Sequence, residues 1–471
     1  MTIKYRIVKL INPGYDNPDF KNPRAGCYPP IALVALASFL KSKIPDISVE
    51  ILDGDILEHQ ELLSRICGDL VGISPHILNY RNALSIAEEA RKNGSLVVFG
   101  GNHATMLAEA IIKNRGLGEG IVDTVVVGDG EIPLYKIVQG GPFNTIENLV
   151  YYDGNQIIKT RPLYEDINTL PFLELDLLNS IDDYWDNLQD LYIKPGYYPN
   201  YVGKPTLVYS HKGCCYADQA SGGVNCIFCS RVTPVWRFKD ASRIWEEISW
   251  LVDKYGVNMV WDTSDAFMHN KDWFLKFCEE KMENPKLKDI NPYLAIYTRA
   301  DDLCDPQLID RLSAINCFQV FVGFESGDPK MLSYTNKGTT VDDNIKAANN
   351  LKAHKIEILP SFVLGLPGET KESLQRTFEF ATAIVETGCV IEVSSSILVP
   401  IPGSRAFHNL LKTLNGQVKK NFLLTDDLNI ETLKELWVKS FCNVDYDYVR
   451  EMNKKVLSLG KMQSPIKADA M

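Results

Sequence analysis

The chain has 471 residues, a formal net charge of −11, and 45% hydrophobic against 23% charged residues. This length predicts two or three domains, and the composition is that of a soluble globular protein. The net negative charge argues against nucleic acid as a partner, unless the protein contains a local basic channel that binds it. The longest apolar runs, such as IALVALASFL, are too short to span a membrane, and no signal peptide is visible. We therefore expect a cytoplasmic protein with reduced thiols.

The first 140 residues alternate short apolar runs with helical patterns. Strands are predicted at YRIVKLINPG, SVEILDGD, LVGISPH, SLVVFGGNH and TVVVGDGE, each followed by a helix. Val- and Ile-rich strands without polar alternation are typical of a parallel sheet that is covered on both faces. A ligand of such a sheet binds at the carboxyl ends of the strands, where this sequence has NPG, SPH, GGNH and GDGE. Residues 1–140 therefore predict a flavodoxin- or Rossmann-like binding domain of the α/β class.

The alternation stops between residues 141 and 203. The stretch NLVYYDGNQIIKT predicts a hairpin with Asp153 and Gly154 at its turn, and an aromatic- and proline-rich connector follows it. Six further strand–helix units in residues 204–404 favour a partial (β/α)6 barrel of the TIM type, which has its chemistry in loops at the carboxyl ends of the strands. Residues 405–471 predict a small helical region with two helical stretches that caps the barrel.

Four of the 11 cysteines lie in one segment, GCCYADQASGGVNCIFCS, directly after the first barrel strand. The spacing of Cys226 and Cys229 lets one tight turn present two thiolates to a metal centre, and Cys214 or Cys215 can join them. Three thiolates on an iron–sulfur cubane leave one iron open for a non-protein ligand, whereas four close the site, as in structural zinc. Adjacent cysteines have diverging side chains, which favours three ligands. A zinc knuckle that staples the loop is the alternative.

This segment resembles the cluster-binding loop of the radical S-adenosylmethionine (SAM) enzymes, in which Gly-Cys opens the motif and Cys-x-Phe-Cys closes it. Eleven residues separate Cys214 from Cys226 here, where the family usually has three, and the difference resembles an insertion. Five further stretches are similar to the ends of the second to sixth barrel strands in the cobalamin (B12)-binding branch of the family: DTSDAF, YTRAD, FVGFESGDPKML with NKG, FVLGLPGET and VPIPGS. The stretches VGIS, VVFGGNHAT and VVVGDGE are similar to the cobalamin-binding domain of that branch. The resemblance runs in the expected order from about residue 5 to residue 405.

The resemblance implies a cluster site and a SAM site in the barrel. The [4Fe–4S] cluster would be bound by Cys214, Cys226 and Cys229, with Cys215 as the alternative to Cys214. SAM would be bound by Phe228, Ser264, Asp265, Arg299 and Glu325. The residues alone also allow Phe228 to pack under the loop, Asp265 to cap the next helix and Glu325 to form a structural salt bridge.

The resemblance also implies a cobalamin site in the first domain. Its contacts would be Ser74, Gly100, Gly101, Thr105, Gly128, Gly130 and Glu131. The loop NPGYDNPDF contains no histidine, so the axial-ligand signature Asp-x-His-x-x-Gly is absent and a histidine-off cobalt is implied. His76 and His103 lie near the expected face, although a lone histidine more often forms only local hydrogen bonds.

The activity implied by the resemblance is that of a cobalamin-dependent radical SAM enzyme. The prevalent reaction in this branch is methylation of an unactivated carbon or phosphorus, here of a small-molecule or peptide substrate. Reductive cleavage of SAM gives a 5′-deoxyadenosyl radical, methylcobalamin donates the methyl group, and a flavodoxin or ferredoxin supplies electrons. Cyclisation or rearrangement without methyl transfer is the alternative. Two further hypotheses are a radical SAM enzyme whose first domain no longer uses cobalamin and a zinc-stabilised binding protein.

Overall fold

The computed structural model describes residues 3–15, 24–117, 120–217, 226–230, 233–416 and 429–460. It divides into two compact units. The first unit comprises Met1–Lys21, Ala25–Asn187 and Leu414–Ile430, and the second comprises Asn22–Arg24, Leu188–Thr413 and Glu431–Met471. The division after Asn187 lies within the connector that the sequence pattern places between residues 141 and 203.

The first unit contains a seven-stranded sheet with the strand order β2-β1-β3-β4-β5-β6-β7. Its strands are β1 Ile7–Asn12, β2 Ser48–Asp53, β3 Leu70–Ile73, β4 Leu96–Phe99, β5 Thr124–Val126, β6 Leu149–Tyr152 and β7 Ile157–Lys159. The first five strands are parallel, and β6 and β7 continue the sheet as an antiparallel pair. The predicted hairpin is therefore present, and it extends the sheet of the first unit.

The helices of this region follow the strands in the predicted alternation. They are α1 Ile31–Lys43, α2 His59–Ser64, α3 Tyr80–Lys92, α4 Gly101–Met106, α5 Ala108–Arg115, α6 Glu131–Val138 and α7 Asp182–Leu188. The single helix predicted through Ile112 is interrupted at Leu107, which leaves helical geometry at φ −113° and ψ 16°. The apolar pattern runs across this break because Ala104, Ala108 and Ile111 are all buried in one core.

The second unit contains a six-stranded parallel sheet with the order β15-β14-β13-β12-β11-β8 and a two-stranded ribbon of β9 and β10. The strands are β8 Pro205–Val208, β9 His211–Lys212, β10 Arg237–Phe238, β11 Met259–Asp262, β12 Tyr293–Thr298, β13 Cys317–Glu325, β14 Glu357–Leu364 and β15 Ser394–Ile397. The helices between and after them are α8 Ala241–Tyr255, α9 Lys271–Glu283, α10 Pro306–Ala314, α11 Pro329–Tyr334, α12 Val341–Ala353, α13 Lys371–Val385, α14 Arg405–Thr413, α15 Ile430–Phe441 and α16 Tyr446–Leu457. Strands that neighbour in sequence also neighbour in space, as the predicted partial barrel requires. The parallel order brings all six carboxyl ends to one edge.

The C-terminal region supplies three described helices where the sequence pattern predicted two. The Trp437 indole N–H of α15 donates a hydrogen bond of 2.8 Å to the Gly365 carbonyl oxygen, and the Gly368 N–H donates one of 2.7 Å to the Phe441 carbonyl oxygen. Helix α15 therefore holds the loop that follows β14. Among the described residues, no helix is both long and apolar enough to cross a membrane.

Candidate functional site

The first two cysteines of the segment follow the short strand β9. Gly213 immediately before them has a φ of 91°, and a Cβ atom there would overlap the Val235 carbonyl oxygen. Only glycine tolerates both conditions, which is why Gly213 precedes Cys214. Gly213 therefore sets the direction in which the chain leaves β9 towards the cysteines. The insertion, ADQASGGVN at residues 217–225, lies outside the described residues except for Ala217.

The second pair of cysteines lies on a tight turn that the barrel holds on both sides. The Cys229 N–H donates to the Cys226 carbonyl oxygen at 3.1 Å and closes the turn. Between them, the Ile227 N–H donates to the Thr335 carbonyl oxygen, and the Ile227 carbonyl oxygen accepts from the Ala406 N–H. Ile227 is the buried side chain of this turn, whereas Phe228 is half-exposed. The packing role that the residues alone allowed for Phe228 is thus filled by Ile227.

The described cysteine sulfurs do not form a closed group of three or more. All eleven cysteines are free of disulfide bonds. A tetrahedral zinc with Zn–S bonds of about 2.3 Å holds its sulfurs roughly 3.8 Å apart. Within the described part of the chain, no three cysteine sulfurs lie within 4.8 Å of one another. The thiolates of a cubane bind different irons and are spaced more widely than those of a tetrahedral zinc site.

Two cations lie close to the cysteine turn. Burial raises the pKa of the Cys226 thiol to about 12, while the charges of Lys337 and Arg299 oppose this shift. Both cations would therefore favour a thiolate at the Cys226 sulfur. Lys337 belongs to the NKG stretch after the fourth strand and was not singled out from the sequence as a site residue.

Glu325 ends β13 in a buried ion pair with this lysine. Its Oε1 lies 2.6 Å from the Lys337 Nζ, which also donates to the Gly323 carbonyl oxygen at 2.6 Å. Glu325 has a φ of 62°, which is costly for a residue with a Cβ and is held here by the ion pair and the strand. The salt-bridge alternative for Glu325 is therefore realised, and its second carboxylate oxygen is left for other contacts at the strand end.

Arg299 ends the third strand and connects it to the cysteine segment. Its NH2 group donates to the Lys337 carbonyl oxygen at 2.6 Å and to the Tyr216 hydroxyl at 3.0 Å. The guanidinium carbon lies 4.0 Å from the centroid of the Tyr216 ring, and Asp301 forms an ion pair with the same group. Tyr216 directly follows Cys215, so this stack joins the first cysteine pair to the end of β12.

Ser264 and Asp265 lie on the loop after β11. The Ser264 Oγ accepts hydrogen bonds from the backbone N–H groups of Ser210 and His211, at 2.8 and 3.0 Å, and its side chain is buried. It therefore holds the end of the first strand against the end of the second. Asp265 does not cap the next helix, because the cap of α9 is Asn270, whose side chain accepts from the Trp273 N–H.

A histidine–carboxylate pair lies at the same edge of the sheet. The His269 Nδ1 is 2.8 Å from the Asp302 Oδ1, and Asp301 joins them in a group whose donor atoms lie within 4.8 Å of one another. The hydrogen bond to Asp302 raises the pKa of His269. No sequence signal marked this pair, since 33 residues separate its members.

In the first unit, the predicted cobalamin residues meet at the carboxyl ends of β3, β4 and β5. A Cβ at Gly101, which has a φ of 81°, would lie 2.7 Å from the Ser74 Oγ. The Gly128 N–H donates to the Thr105 Oγ1 at 3.1 Å. The backbone faces open space at Gly100 and Gly128, where an added Cβ would meet no atom within 4 Å. An edge of this kind fits the close approach of a large ligand.

The remaining predicted cobalamin residues lie at the start of α6. The buried Glu131 carboxylate accepts from the Gly130 N–H at 3.1 Å and so closes on its own helix terminus. An added Cβ at Gly130 would lie 3.2 Å from the Leu36 side chain, so this glycine packs against α1. These two residues therefore fix the start of α6 beside the sheet edge.

Two histidines lie near this edge, and both are neutral at physiological pH. Burial lowers the pKa of His76 to about 4, and burial together with the charge of His76 lowers that of His103 to about 4. The His76 Nδ1 accepts from the Leu78 N–H at 3.1 Å, which is the local role expected of a lone histidine. The His103 ring packs on Tyr80 with 5.1 Å between centroids.

Two family profiles match the chain in the order of its two sheets. The B12 binding domain matches residues 21–138, and the Radical SAM superfamily matches residues 223–381. The two matched regions contain the glycine-lined edge and the Cys226 turn, respectively.

Curated relatives cover most of the chain. An uncharacterized methyltransferase of Pyrococcus horikoshii is 26% identical over 409 residues, which are 82% of this chain and 80% of the relative. The anaerobic magnesium-protoporphyrin IX monomethyl ester cyclase of Rubrivivax gelatinosus is 28% identical and covers 76% of this chain. The chain spans only 62% of the length of that cyclase.

Solved structures share the fold across both units. The radical SAM methyltransferase TsrM from Kitasatospora setae, with cobalamin and a [4Fe–4S] cluster bound, has a TM-score of 0.63 at 18% identity. That match covers 88% of this chain and 75% of TsrM. The cobalamin-dependent SAM radical enzyme OxsB has a TM-score of 0.62 at 15% identity, covering 94% of this chain and 58% of OxsB. The chain thus belongs to the cobalamin-binding radical SAM enzymes, a family that implies SAM, a [4Fe–4S] cluster and cobalamin as its cofactors.

Proposed function

We propose that the chain is a methyltransferase that acts on an unactivated carbon or phosphorus of a small-molecule or peptide substrate. The observation that carries the proposal is the resemblance to the Pyrococcus methyltransferase over four-fifths of both chains. Bound SAM, the reduced cluster and cobalamin would together supply a 5′-deoxyadenosyl radical and a transferable methyl group. We assign the cobalamin domain to residues 1–140, the linker to 141–203, the radical SAM domain to 204–404 and the helical extension to 405–471.

In this proposal, the cluster ligands are Cys226, Cys229 and Cys214. The hydrogen bonds on both sides of Ile227 support the first two, because they fix the turn that carries both sulfurs. Gly213 supports Cys214 over Cys215, since its φ of 91° sets the direction of the residue that follows. Lys337 and Arg299 would favour the thiolate form of the ligands, since both lower the pKa of Cys226 against the effect of burial.

The SAM ligands in this proposal are Glu325, Asp265, Arg299 and Phe228, with Ser264 in support. Glu325 would accept from SAM hydroxyl or ammonium groups through the oxygen that does not contact Lys337. Arg299 would offer positive charge to the carboxylate, although most of its donors already bind Tyr216, Asp301 and the Lys337 backbone. The half-exposed Phe228 would provide a face for adenine.

We further propose that cobalamin binds without a histidine ligand to cobalt. Ser74, Thr105 and the open backbone at Gly100 and Gly128 would contact its nucleotide tail, with Gly101, Gly130 and Glu131 shaping the edge. His76 uses its Nδ1 locally, and the His103 Nε2 is buried, which supports a histidine-off state. The reductant would be a flavodoxin or ferredoxin, and the reduced thiols favour a cytoplasmic protein.

Cyclisation is the second candidate, because the Rubrivivax cyclase has the slightly higher identity of 28%. Anaerobic protein reconstituted with iron, sulfide and hydroxocobalamin, and then given SAM and a reductant, separates the two reactions. We expect both 5′-deoxyadenosine and S-adenosylhomocysteine, the pair that accompanies methylation. Deoxyadenosine alone favours cyclisation or rearrangement, and the absence of both products after full cluster loading contradicts the proposal.

A further inference from the structure

The pair of His269 and Asp302 lies beside the cysteine segment and has no role in the proposed binding of the cofactors. His269 lies on the loop after β11, where its N–H donates to the carbonyl oxygen of Ala266 at 3.0 Å. Ala266 adopts a φ of 52°, and the neighbouring Phe267 is buried with its N–H bonded to the Tyr297 carbonyl oxygen. The loop is therefore fixed from both sides, and it places the His269 imidazole at the carboxyl edge of the barrel.

The imidazole is oriented by a carboxylate that is itself held in place. The Asp302 Oδ1 lies 2.8 Å from the His269 Nδ1, while its Oδ2 accepts from the Thr298 hydroxyl at 3.2 Å. The Asp302 side chain is 6% exposed, whereas that of His269 is 29% exposed. The buried acceptor fixes the neutral ring with its proton on Nδ1 and leaves Nε2 as the basic atom.

A shallow cavity of about 550 Å³, open to solvent, adjoins the pair, and its other walls include Trp236, Lys271 and Asp272. Tyr216 precedes the Cys226 turn in the sequence and Trp236 follows it. Their ring centroids lie 6.0 and 6.1 Å, respectively, from that of His269. Since Tyr216 directly follows Cys215, the His269 ring that lines the cavity also contacts the segment that would carry the cluster.

We propose that His269, positioned by Asp302, is an acid–base residue of the radical SAM site that accepts a proton from the substrate in this cavity. The inference rests on the proposed function. A bond between hydrogen and a substrate nitrogen, oxygen or acidic carbon breaks, its electron pair stays on the substrate, and the proton forms a bond to the His269 Nε2. Asp302 remains ionised and stabilises the imidazolium. The substrate is accordingly one that carries such an ionisable hydrogen.

The same donor atoms are close enough to hold a divalent cation, but their existing partners favour acid–base chemistry. Both carboxylate oxygens of Asp301 contact the Arg299 guanidinium, at 3.0 and 3.1 Å. Both oxygens of Asp302 are used by His269 and Thr298. The charged groups that act on His269 are thus Asp302, Asp301 and Arg299, with Lys271 and Asp272 farther along the cavity wall.

The test is the reaction of His269 with diethyl pyrocarbonate, which modifies neutral imidazole nitrogens. The reconstituted holoenzyme is treated anaerobically with and without SAM, in the absence of reductant, and each histidine is quantified by peptide mass spectrometry. His354, just after the end of α12, is the control because it also pairs with a carboxylate. Its Nε2 lies 2.8 Å from the Asp310 Oδ1, and its Nδ1 lies 2.8 Å from the Asn350 carbonyl oxygen. The Tyr216 ring stacks on Arg299, a proposed SAM contact, and its centroid lies 6.0 Å from that of His269. We therefore expect bound SAM to shield His269, slowing its modification at least fivefold, and to leave His354 unchanged.

The D302N variant tests the positioning role, with D310N as its control. Loss of the Asp302 charge lowers the pKa of His269, so a larger fraction of the ring is neutral at pH 6. His269 in D302N should therefore react several-fold faster at pH 6 than in the parent protein. Two results overturn this inference and leave the proposed function intact, provided that the preparation forms 5′-deoxyadenosine after reduction. One is a His269 that does not react, and the other is a His269 that SAM does not protect. Protection by Mn²⁺ without SAM overturns it in favour of a cation site. A fully loaded preparation that forms no 5′-deoxyadenosine contradicts the proposed function, and this inference with it.

Discussion

The two candidate ligand-binding edges, one in each unit, are built by opposite means. At the barrel edge, buried charged side chains are paired: Lys337 with the buried Glu325, and Arg299 with the half-buried Asp301. At the edge of the first sheet, the backbone is bare at Gly128, the hydroxyls of Ser74 and Thr105 lie beside glycines, and the two histidines are neutral. The first arrangement suits a thiolate-bound cluster with a charged nucleotide, and the second suits a bulky ligand recognised mainly by its shape.

The largest expected effect is at the cysteines of the charged barrel edge, which would bind the cluster. C226A and C229A should each lose the [4Fe–4S] cluster, since two remaining thiolates do not hold a cubane. Iron and sulfide analysis, with the broad absorbance near roughly 400 nm, measures the loss. C67A, at an exposed thiol of the first unit, is the matched control and should keep full iron content.

The first ligand is decided by C214A and C215A. The Gly213 conformation favours Cys214, so we expect C214A to lose the cluster and C215A to retain it. The reverse result would transfer the role to Cys215, and retention in both variants would contradict a cluster at this segment.

Most of the fold could be predicted from the sequence, but the partners within the site could not. Apolar runs mark all six barrel strands, and Gly-Cys with Cys-x-x-Cys marks the cluster segment, because these signals are local. Lys337 and Glu325 are 12 residues apart, Arg299 and Tyr216 are 83 apart, and no sequence period connects them. Their contacts arise only when β12 and β13 align, which explains why Lys337 and Tyr216 were missed and why Glu325 kept two interpretations.

A substitution at Lys337 tests the charged barrel edge without altering a cysteine. K337M leaves Glu325 as a buried carboxylate without its cation and should lower the free energy of unfolding by about 3–5 kcal/mol. Urea denaturation followed by tryptophan fluorescence measures the change, since six of the seven tryptophans lie in the second unit. E325Q/K337M removes both charges and should be more stable than K337M. If the loss of unfolding free energy in E325Q/K337M equals the sum of the losses in E325Q and K337M, the broken ion pair is not the cause.

A further prediction, at Glu369, concerns pH. Burial raises the pKa of this carboxyl to about 7, even though its oxygens accept from the N–H groups of Leu366 and Gly365 and from the Ser373 hydroxyl. A raised acid pKa means that the unfolded chain releases the proton first, so stability is lost as pH rises from about 4.5 through 7. The loss should reach about 3 kcal/mol above pH 7.

E369Q is the control for this pH effect, because glutamine keeps the acceptor oxygen without the titration. Urea denaturation of the parent and of E369Q between pH 5 and 8 should show a slope in the parent that is reduced in the variant. Equal slopes would assign the pH dependence to other groups.

The smallest effects are expected at the glycine-lined edge of the first sheet, where a substitution changes the shape of the surface and not its charge. G128A adds a methyl group in open space and pays only for its φ of 83°, about 1 kcal/mol, whereas G101A also drives a Cβ towards the Ser74 Oγ. We therefore expect G101A to lower the thermal unfolding midpoint of the first unit more than G128A does. Cobalamin retention should show the opposite order, because the methyl group at Gly128 lies on the open side, where a ligand would approach the backbone. If G128A binds hydroxocobalamin as tightly as the parent protein while G101A does not, the open backbone is not the binding surface and the contrast between the two edges fails.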